Sequence, residues 1–192
     1  MRDKKLDYAF HVHTARCGHA SSDTEEDYIK YAIKNGMRMI TFTDHIPFPG
    51  DPFTGRMKMS ELDGYIYVID QLKEKYKKQI EVYTGFEVEY IPEYLSYYRE
   101  VRKKVDIMIL GQHHAKMENG CYTFERNVDK NKICRLAKTE CIKLERNLGV
   151  YEKTGYNMNF WSNLPSGVQT IYGLDAHSLD GMKLCEQVTY SS

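Results

Sequence analysis

The chain has 192 residues, 42% of them hydrophobic and 28% charged, with Lys+Arg and Asp+Glu each totalling 27. That length and make-up fit a single globular domain over residues 1–192 with a real core, and zero net charge argues against a general nucleic-acid binder, whose footprint is usually basic. No stretch approaches the ~18 apolar residues a membrane span needs, no secretory signal follows Met1-Arg2-Asp3-Lys4-Lys5, and the five cysteines form no CxxC pair, so the expected setting is the reducing cytoplasm.

Leu6–His13 reads as a first strand. Ser22-x-x-Glu25 then gives a capping-box signature. It opens a predicted helix with Tyr28, Ile29, Ala32 and Ile33 on one side and Asn35-Gly36 at its end. Met39–Thr43 is a second strand, and Ile46–Met57, punctuated by proline and glycine, is a loop. A helix capped near Ser60 carries Leu62, Tyr65, Ile66, Ile69, Leu72 and Tyr76 at helical spacing. Ile80–Glu89 is a third strand interrupted by Gly85, and Glu93–Lys104 is helical. Val105–Leu110 is a nearly continuous apolar run, as expected of a strand buried on both faces. Asp129–Lys138 predicts a helix, Cys141–Leu144 a strand, and Val168–Tyr172 a final strand before Gly173-Leu174-Asp175. Regular strand–helix alternation means a parallel sheet with helices outside. In a closed barrel the functional groups gather at the C-terminal ends of the strands, where His13, His45, Glu87, His113 and Asp175 each fall. An open doubly wound sheet is the competing architecture, but it would not bring five strand ends around one point.

The histidines carry the strongest signal. They occur as His11-Val12-His13 with His19 shortly after, Thr43-Asp44-His45, His113-His114, and Asp175-Ala176-His177. Histidine is the commonest metal ligand, and residues at i and i+2 on a strand share a face. His11 with His13, and Asp175 with His177, can therefore converge on one ion. Nitrogen and carboxylate donors without paired cysteines suit zinc, manganese or iron in a catalytic site, not a structural zinc. Asp44 and His114 point away from their histidine neighbours if the strands continue, and read as supporting groups. Glu89 is the alternative to Glu87 as a bridging carboxylate, with Gly85 directly before Phe86-Glu87 favouring Glu87. Cys17 lies among the histidines and reads as pocket wall, with metal binding as the alternative, and Glu145 either lines the pocket or pairs with a neighbour such as Arg146. Arg16 either makes a bidentate contact to phosphate or is a surface charge.

Taken in order, His11-Val12-His13-Thr14, Thr43-Asp44-His45, Gly85-Phe86-Glu87, Gly111-Gln112-His113 and Gly173-Leu174-Asp175-Ala176-His177 resemble the motifs of the polymerase-and-histidinol-phosphatase (PHP) family, most of all its histidinol-phosphatase-like branch. The resemblance implies an α/β fold, a distorted PHP-type (β/α) barrel, and two to three divalent transition-metal ions (zinc, manganese or iron). Carried over by motif, His11, His13, Glu87 and Asp175 hold the first ion, and His19, His45 and His177 hold another. Glu87 bridges from the first ion to one held by His113. The implied activity is hydrolysis of a small phosphomonoester by a metal-bound hydroxide, with histidinol phosphate, from histidine biosynthesis, the leading substrate. Arg16 would help stabilise the charge on phosphorus, and His19 or His177 would assist the leaving alkoxide. Two alternatives stay open: a PHP-type nuclease, which needs a basic groove, and a non-catalytic or weakly active metal-binding remnant. The expected partner is a small phosphorylated substrate, neither membrane nor nucleic acid, and the sequence leaves the oligomeric state open.

One motif is short. Family members normally supply a further histidine from an HPD-like stretch before the DAH, yet no histidine lies between His114 and His177. The interval is also shortened, so the barrel is expected to be shortened and incompletely closed on that side. The ion shared by Glu87 and His113 should then be partly occupied while the others are full, and activity should rise with metal added from micromolar to millimolar. Occupancies from anomalous scattering check this; three ions at equal, full occupancy would refute it.

Overall fold

The computed structural model describes residues 4–89, 91–110, 144–147, 164–186 and 189–190. After a two-residue strand, β1 (Lys4–Lys5), four strands pair in parallel and in chain order: β2 (Tyr8–Val12), β3 (Met39–Phe42), β4 (Glu81–Val88) and β5 (Ile107–Leu110). Parallel neighbours cannot be joined by a tight turn, so each connection carries a helix. These are α1 (Glu25–Lys34), α2 (Leu62–Tyr76) and α3 (Leu95–Arg102).

Two further strands, β6 (Leu144–Asn147) and β7 (Thr170–Gly173), pair in parallel, and β6 lies against β5. The segment after β7 returns to β2 through three backbone bonds: Leu174 N to Phe10 O (2.8 Å), Ala176 N to His11 O (3.0 Å) and His13 N to Ala176 O (2.9 Å). Six parallel strands thus run round a distorted barrel with their C-terminal ends on one side. Among the described residues no ladder joins β5 to β6, so hydrogen bonds do not close the ring. A short helix α4 (Leu179–Met182) follows, and β8 (Thr189–Tyr190) pairs antiparallel with β1.

The core follows from the helical stripes. Tyr28, Ile29 and Ala32 of α1, and Leu62, Tyr65, Ile66 and Ile69 of α2, are buried in one cluster with Ala9, Val12, Ile40, Phe42 and Phe86 of the sheet. At about 25 cal/mol per Å² of apolar surface, such burial is the main stabilising term.

Several local expectations shift. α1 is capped by Thr24, not Ser22: Asp27 N donates to Thr24 Oγ1 (3.2 Å) and Thr24 N to Asp27 Oδ2 (3.0 Å). Glu25, the acid of the expected box, is taken by Arg16 at 3.0 Å. Ser60 does not cap α2; it sits in a 3-10 turn, Met59–Glu61, entered by a bond from Lys58 N to Glu61 Oε2 (2.7 Å). α3 starts at Leu95 because Pro92–Tyr94 form a separate turn, and it ends at Arg102 with Lys103 as its C-cap. Ile107 and Met108 of β5 are only half-buried, so that strand is not enclosed on both faces as its apolar run suggests. β6 starts where the predicted strand Cys141–Leu144 ends, which places Glu145 within a strand instead of after one. The predicted helix Asp129–Lys138 lies outside the described residues.

Gly85 does not interrupt β4; the strand runs straight through it. A Cβ there would stand 2.5 Å from Ile107 Cγ2, 2.8 Å from Ile107 O and 3.0 Å from Thr43 Cγ2. The bare Cα is what lets β5 approach. Gly85→Ala should therefore cost roughly 1–3 kcal/mol as overpacking against backbone. At roughly 2–4 °C per kcal/mol for a chain of this size, the melting temperature should fall by several degrees. A melting curve that superimposes on the wild type would contradict this close approach.

Candidate metal centre

The site begins with an irregularity in β2. Ala9 pairs with Ile40 and Val12 with Phe42, so β2 carries one more residue between these points than β3 does. That is a β-bulge, a device that re-aims a side chain. His11 sits in it with φ 66°, and Asp175, facing it across the β2–β7 seam, has φ 50°. Left-handed backbone at a non-glycine residue costs on the order of 1–3 kcal/mol and collects at functional sites. The convergence of His11 and His13 is therefore not simple strand alternation; a kinked strand brings their Nε2 atoms to 2.8 Å.

Glu87, near the end of β4, is buried and lies at the centre. Its Oε2 stands 3.2 Å from His11 Nε2, 3.4 Å from His13 Nε2 and 3.1 Å from His45 Nδ1. Backbone bonds fix this meeting: Glu87 N donates to Asp44 O (3.0 Å) and Ile46 N to Glu87 O (2.9 Å), on either side of His45. Asp175 Oδ1 lies 3.3 Å from His13 Nε2 and 3.5 Å from His11 Nε2. Three sets of donor atoms gather within 4.8 Å of one another: His11, His13 and Asp175; His13, His45 and Glu87; and His13, Cys17 and His177. His13 belongs to all three.

The outer pair is the more telling. His177 stacks on His13 with ring centroids 4.3 Å apart, and its Nε2 meets His19 Nε2 at 2.9 Å. The Nδ1 of His177 faces Asp175 O at 2.9 Å, and that of His19 faces Cys17 O at 3.1 Å. A carbonyl only accepts, so both Nδ1 atoms carry hydrogen and each neutral ring presents a bare lone pair at Nε2. Two lone pairs in contact repel; a shared proton or a metal cation at that point removes the conflict, and the adjoining donor sets favour the metal. The donor chemistry thus fits a metal.

Charge is held unevenly. Burial opposes protonation of His13, yet hydrogen bonds to Asp175, Cys17 and Glu87 outweigh it and hold its pKa well above the usual histidine value. Burial, then the nearby His13, pushes His177 down.

Of the residues singled out in the sequence, His11, His13, His19, His45, Glu87, Asp175 and His177 form one cluster, while His113 and His114 lie outside the described residues. The grouping by motif placed His45 with His19 and His177; here it stands closer to His13 than to His19, at centroid distances of 4.8 and 5.5 Å. Arg16 belongs to the turn Ala15–Cys17 and its Nε donates to Glu25 Oε1 at 3.0 Å. Cys17 is closer to the donors than a wall residue need be, with its thiol donating to Thr14 O at 3.1 Å.

Asp44 is fully buried, which pushes its pKa up, and its Oδ1 accepts from Thr14 N at 2.9 Å. Tyr65 OH donates to Gly85 O (3.0 Å) and receives Asp44 N (3.4 Å). Glu89 stays out of the cluster and pairs with Arg56 at 3.2 Å. Sequence reasoning missed Arg56. A cation in a proline- and glycine-rich loop directly after His45, beside Phe48 and Phe53, was the available signal.

Residues 9–155 match the family model of the PHP domain. The histidinol-phosphatase of Bacillus subtilis (strain 168) is 31% identical over 144 residues, 69% of this chain and 54% of that protein. The chain thus spans about half the length of this curated relative. Two crystal structures share the fold. The hisK protein of Listeria monocytogenes superimposes with a TM-score of 0.69 at 17% identity, covering 91% of this chain and 97% of that one. The histidinol phosphate phosphatase HISK of Lactococcus lactis, solved with zinc, L-histidinol and phosphate, gives a TM-score of 0.63 at 18% identity, covering 96% and 93%.

Purified protein should retain at least one transition-metal ion per chain after exhaustive dialysis. His13→Ala should lower that content more than His19→Ala does, because His13 is common to all three donor sets. Elemental analysis of the two variants beside the wild type checks both statements. Wild-type protein that stays metal-free after reconstitution would end the metal reading.

Proposed function

The chain belongs to the PHP domain family, and we propose that it is a metal-dependent phosphatase of small phosphomonoesters, with histidinol phosphate the leading substrate. The observation that carries the reading is the contact of His19 and His177, two imidazoles committed by their Nδ1–H bonds to showing lone pairs to each other at 2.9 Å. Such an arrangement suits a metal cation, with one shared proton as its substitute when the ion is away. The names of the Bacillus relative and of the Lactococcus structure, with its histidinol and phosphate, support the choice of substrate.

In this reading residues 1–192 form one phosphoesterase domain. His11, His13, Glu87 and Asp175 hold one ion, His45 extends the same set through Glu87, and His19 with His177 serve the outer position. His113 joins them by its motif. Two or three ions of zinc, manganese or iron would supply positive charge to the phosphoryl oxygens and acidify water.

The chain's own groups do the rest. Where its Nε2 is not taken by an ion, His19 or His177 would hold a proton there for the leaving alkoxide oxygen, since both Nδ1 hydrogens are held by carbonyls. His19 is exposed and His177 half-buried, so the pair sits where substrate arrives. Glu25 anchors Arg16 through Nε, leaving the outer guanidinium amines for a phosphate oxygen. Among the described residues no helix is long and apolar enough to cross a membrane, and a cytoplasmic setting is part of the proposal.

Metal-replete protein should hydrolyse histidinol phosphate faster than an aryl phosphate, leave single-stranded DNA intact, and lose activity in chelator. Faster cleavage of DNA would favour a nuclease. No turnover of any phosphoester would leave a metal-binding remnant, and full activity in chelator would end the metal-dependent reading.

A further inference from the structure

Among the buried charged groups of the described residues that the proposed chemistry does not use are Arg56 and Glu89. Their side chains are 4% and 0% exposed, and Arg56 Nη2 meets Glu89 Oε1 at 3.2 Å. The same guanidinium donates from Nη1 to Ile46 O at 2.9 Å and packs over Phe48 and Phe53, 5.1 and 5.3 Å from their ring centroids.

These contacts close a small circuit. Ile46 follows His45 directly. Its N–H is bound to Glu87 O (2.9 Å), its carbonyl is bound by Arg56, and Arg56 reaches on to Glu89, two residues beyond Glu87 on the same chain segment. The guanidinium therefore ties the residue after His45 to the chain two residues past Glu87, bracketing the contact between His45 Nδ1 and Glu87 Oε2. A planar fork can hold a carbonyl and a carboxylate at once in fixed directions; an ammonium cannot. Tyr98 OH, bonded to Glu89 O, anchors the far end of the circuit to α3.

We propose that Arg56 is a positioning residue that fixes His45 against Glu87 and so sets the affinity and geometry of the metal site they share. The inference rests on the proposed reading of His45 and Glu87 as ligands. It goes beyond it in assigning control of that site to a loop residue outside the three donor sets. A buried ion pair is a weak source of stability, since its desolvation offsets its attraction, so stability alone does not account for placing one here.

The test uses the full chain and cobalt(II) as probe, reading affinity by titration, ligand geometry by the d–d absorption bands, and folding by circular dichroism and thermal melting of the metal-free protein. Arg56→Met should weaken cobalt binding roughly 10–100-fold, the range found when groups supporting a metal ligand are lost. It should also alter the d–d bands. Removing both charges, in Arg56→Met/Glu89→Leu, should recover melting temperature because neither half of the ion pair stays buried without the other. It should not recover affinity or spectrum, because Ile46 O still lacks its donor. Should Arg56→Met alone fail to fold, the double variant gives the same readouts.

Wild-type affinity and d–d bands in a folded Arg56→Met protein would overturn the proposal while leaving the metal reading intact. Recovery of both in the double variant would do the same, by showing that Arg56 only neutralises Glu89. Wild-type protein that takes up no cobalt would overturn the metal reading itself, and this inference with it.

Discussion

A buried carboxylate cannot be left alone. Removing its charge from water costs several kcal/mol even after the protein relaxes, and only partners at contact distance recover that cost. Glu87 is such a group, and its Oε2 finds three imidazole nitrogens within 3.4 Å. Two come from the end of β2 and one from just past β3, so three strand termini must meet at one point. Parallel pairing is the arrangement that delivers this, since it places like ends of successive strands side by side. The helical crossovers, the register of the sheet and the return of β7 to β2 all follow as ways of keeping those ends together.

The meeting point is held by backbone more than by side-chain packing. Asp44 takes the Thr14 amide, Tyr65 ties the Asp44 amide to the Gly85 carbonyl, and the Ile46 amide binds Glu87. Each tie joins two different strand ends. Amides so deeply buried need partners, and those of Thr14, Asp44 and Ile46 find them across elements, which turns an obligation of hydrogen bonding into precision of placement. A rigid support of this kind is what a site needs if its donors are to be aligned before any ligand arrives.

What could be read from the sequence was what repeats locally. The stripes of α1 and α2, and histidines and acids at the ends of apolar runs, are periodic or positional signals. They led to the parallel α/β architecture and to the seven side chains that the fold gathers. Features that depend on a neighbouring strand were not legible. The bulge at His11 exists only relative to β3, since a one-residue offset has no mark in β2 alone. Gly85 looked like a break in β4 because its reason, the approach of Ile107, lies more than twenty residues away in sequence. The cap of α1 was misassigned because Ser22-x-x-Glu25 and Thr24-x-x-Asp27 overlap, and the choice between them is made by Arg16 drawing off Glu25. Arg56 and Glu89 find each other only once the loop after β3 has folded onto the end of β4.

The seam between β2 and the residues after β7 also sets an order of events during synthesis. His19 and His177 are 158 positions apart, and the backbone bonds that bring Asp175 to His11 and His13 join the two extremes of the described chain. Contacts that distant are the last to repay the entropy of closing the loop between them. On the ribosome, β2, β3 and β4 can pair early, and His11, His13, His45 and Glu87 can come together while Asp175 and His177 have yet to emerge. The growing chain would thus pass through a stage at which half of the donor cluster stands open to solvent.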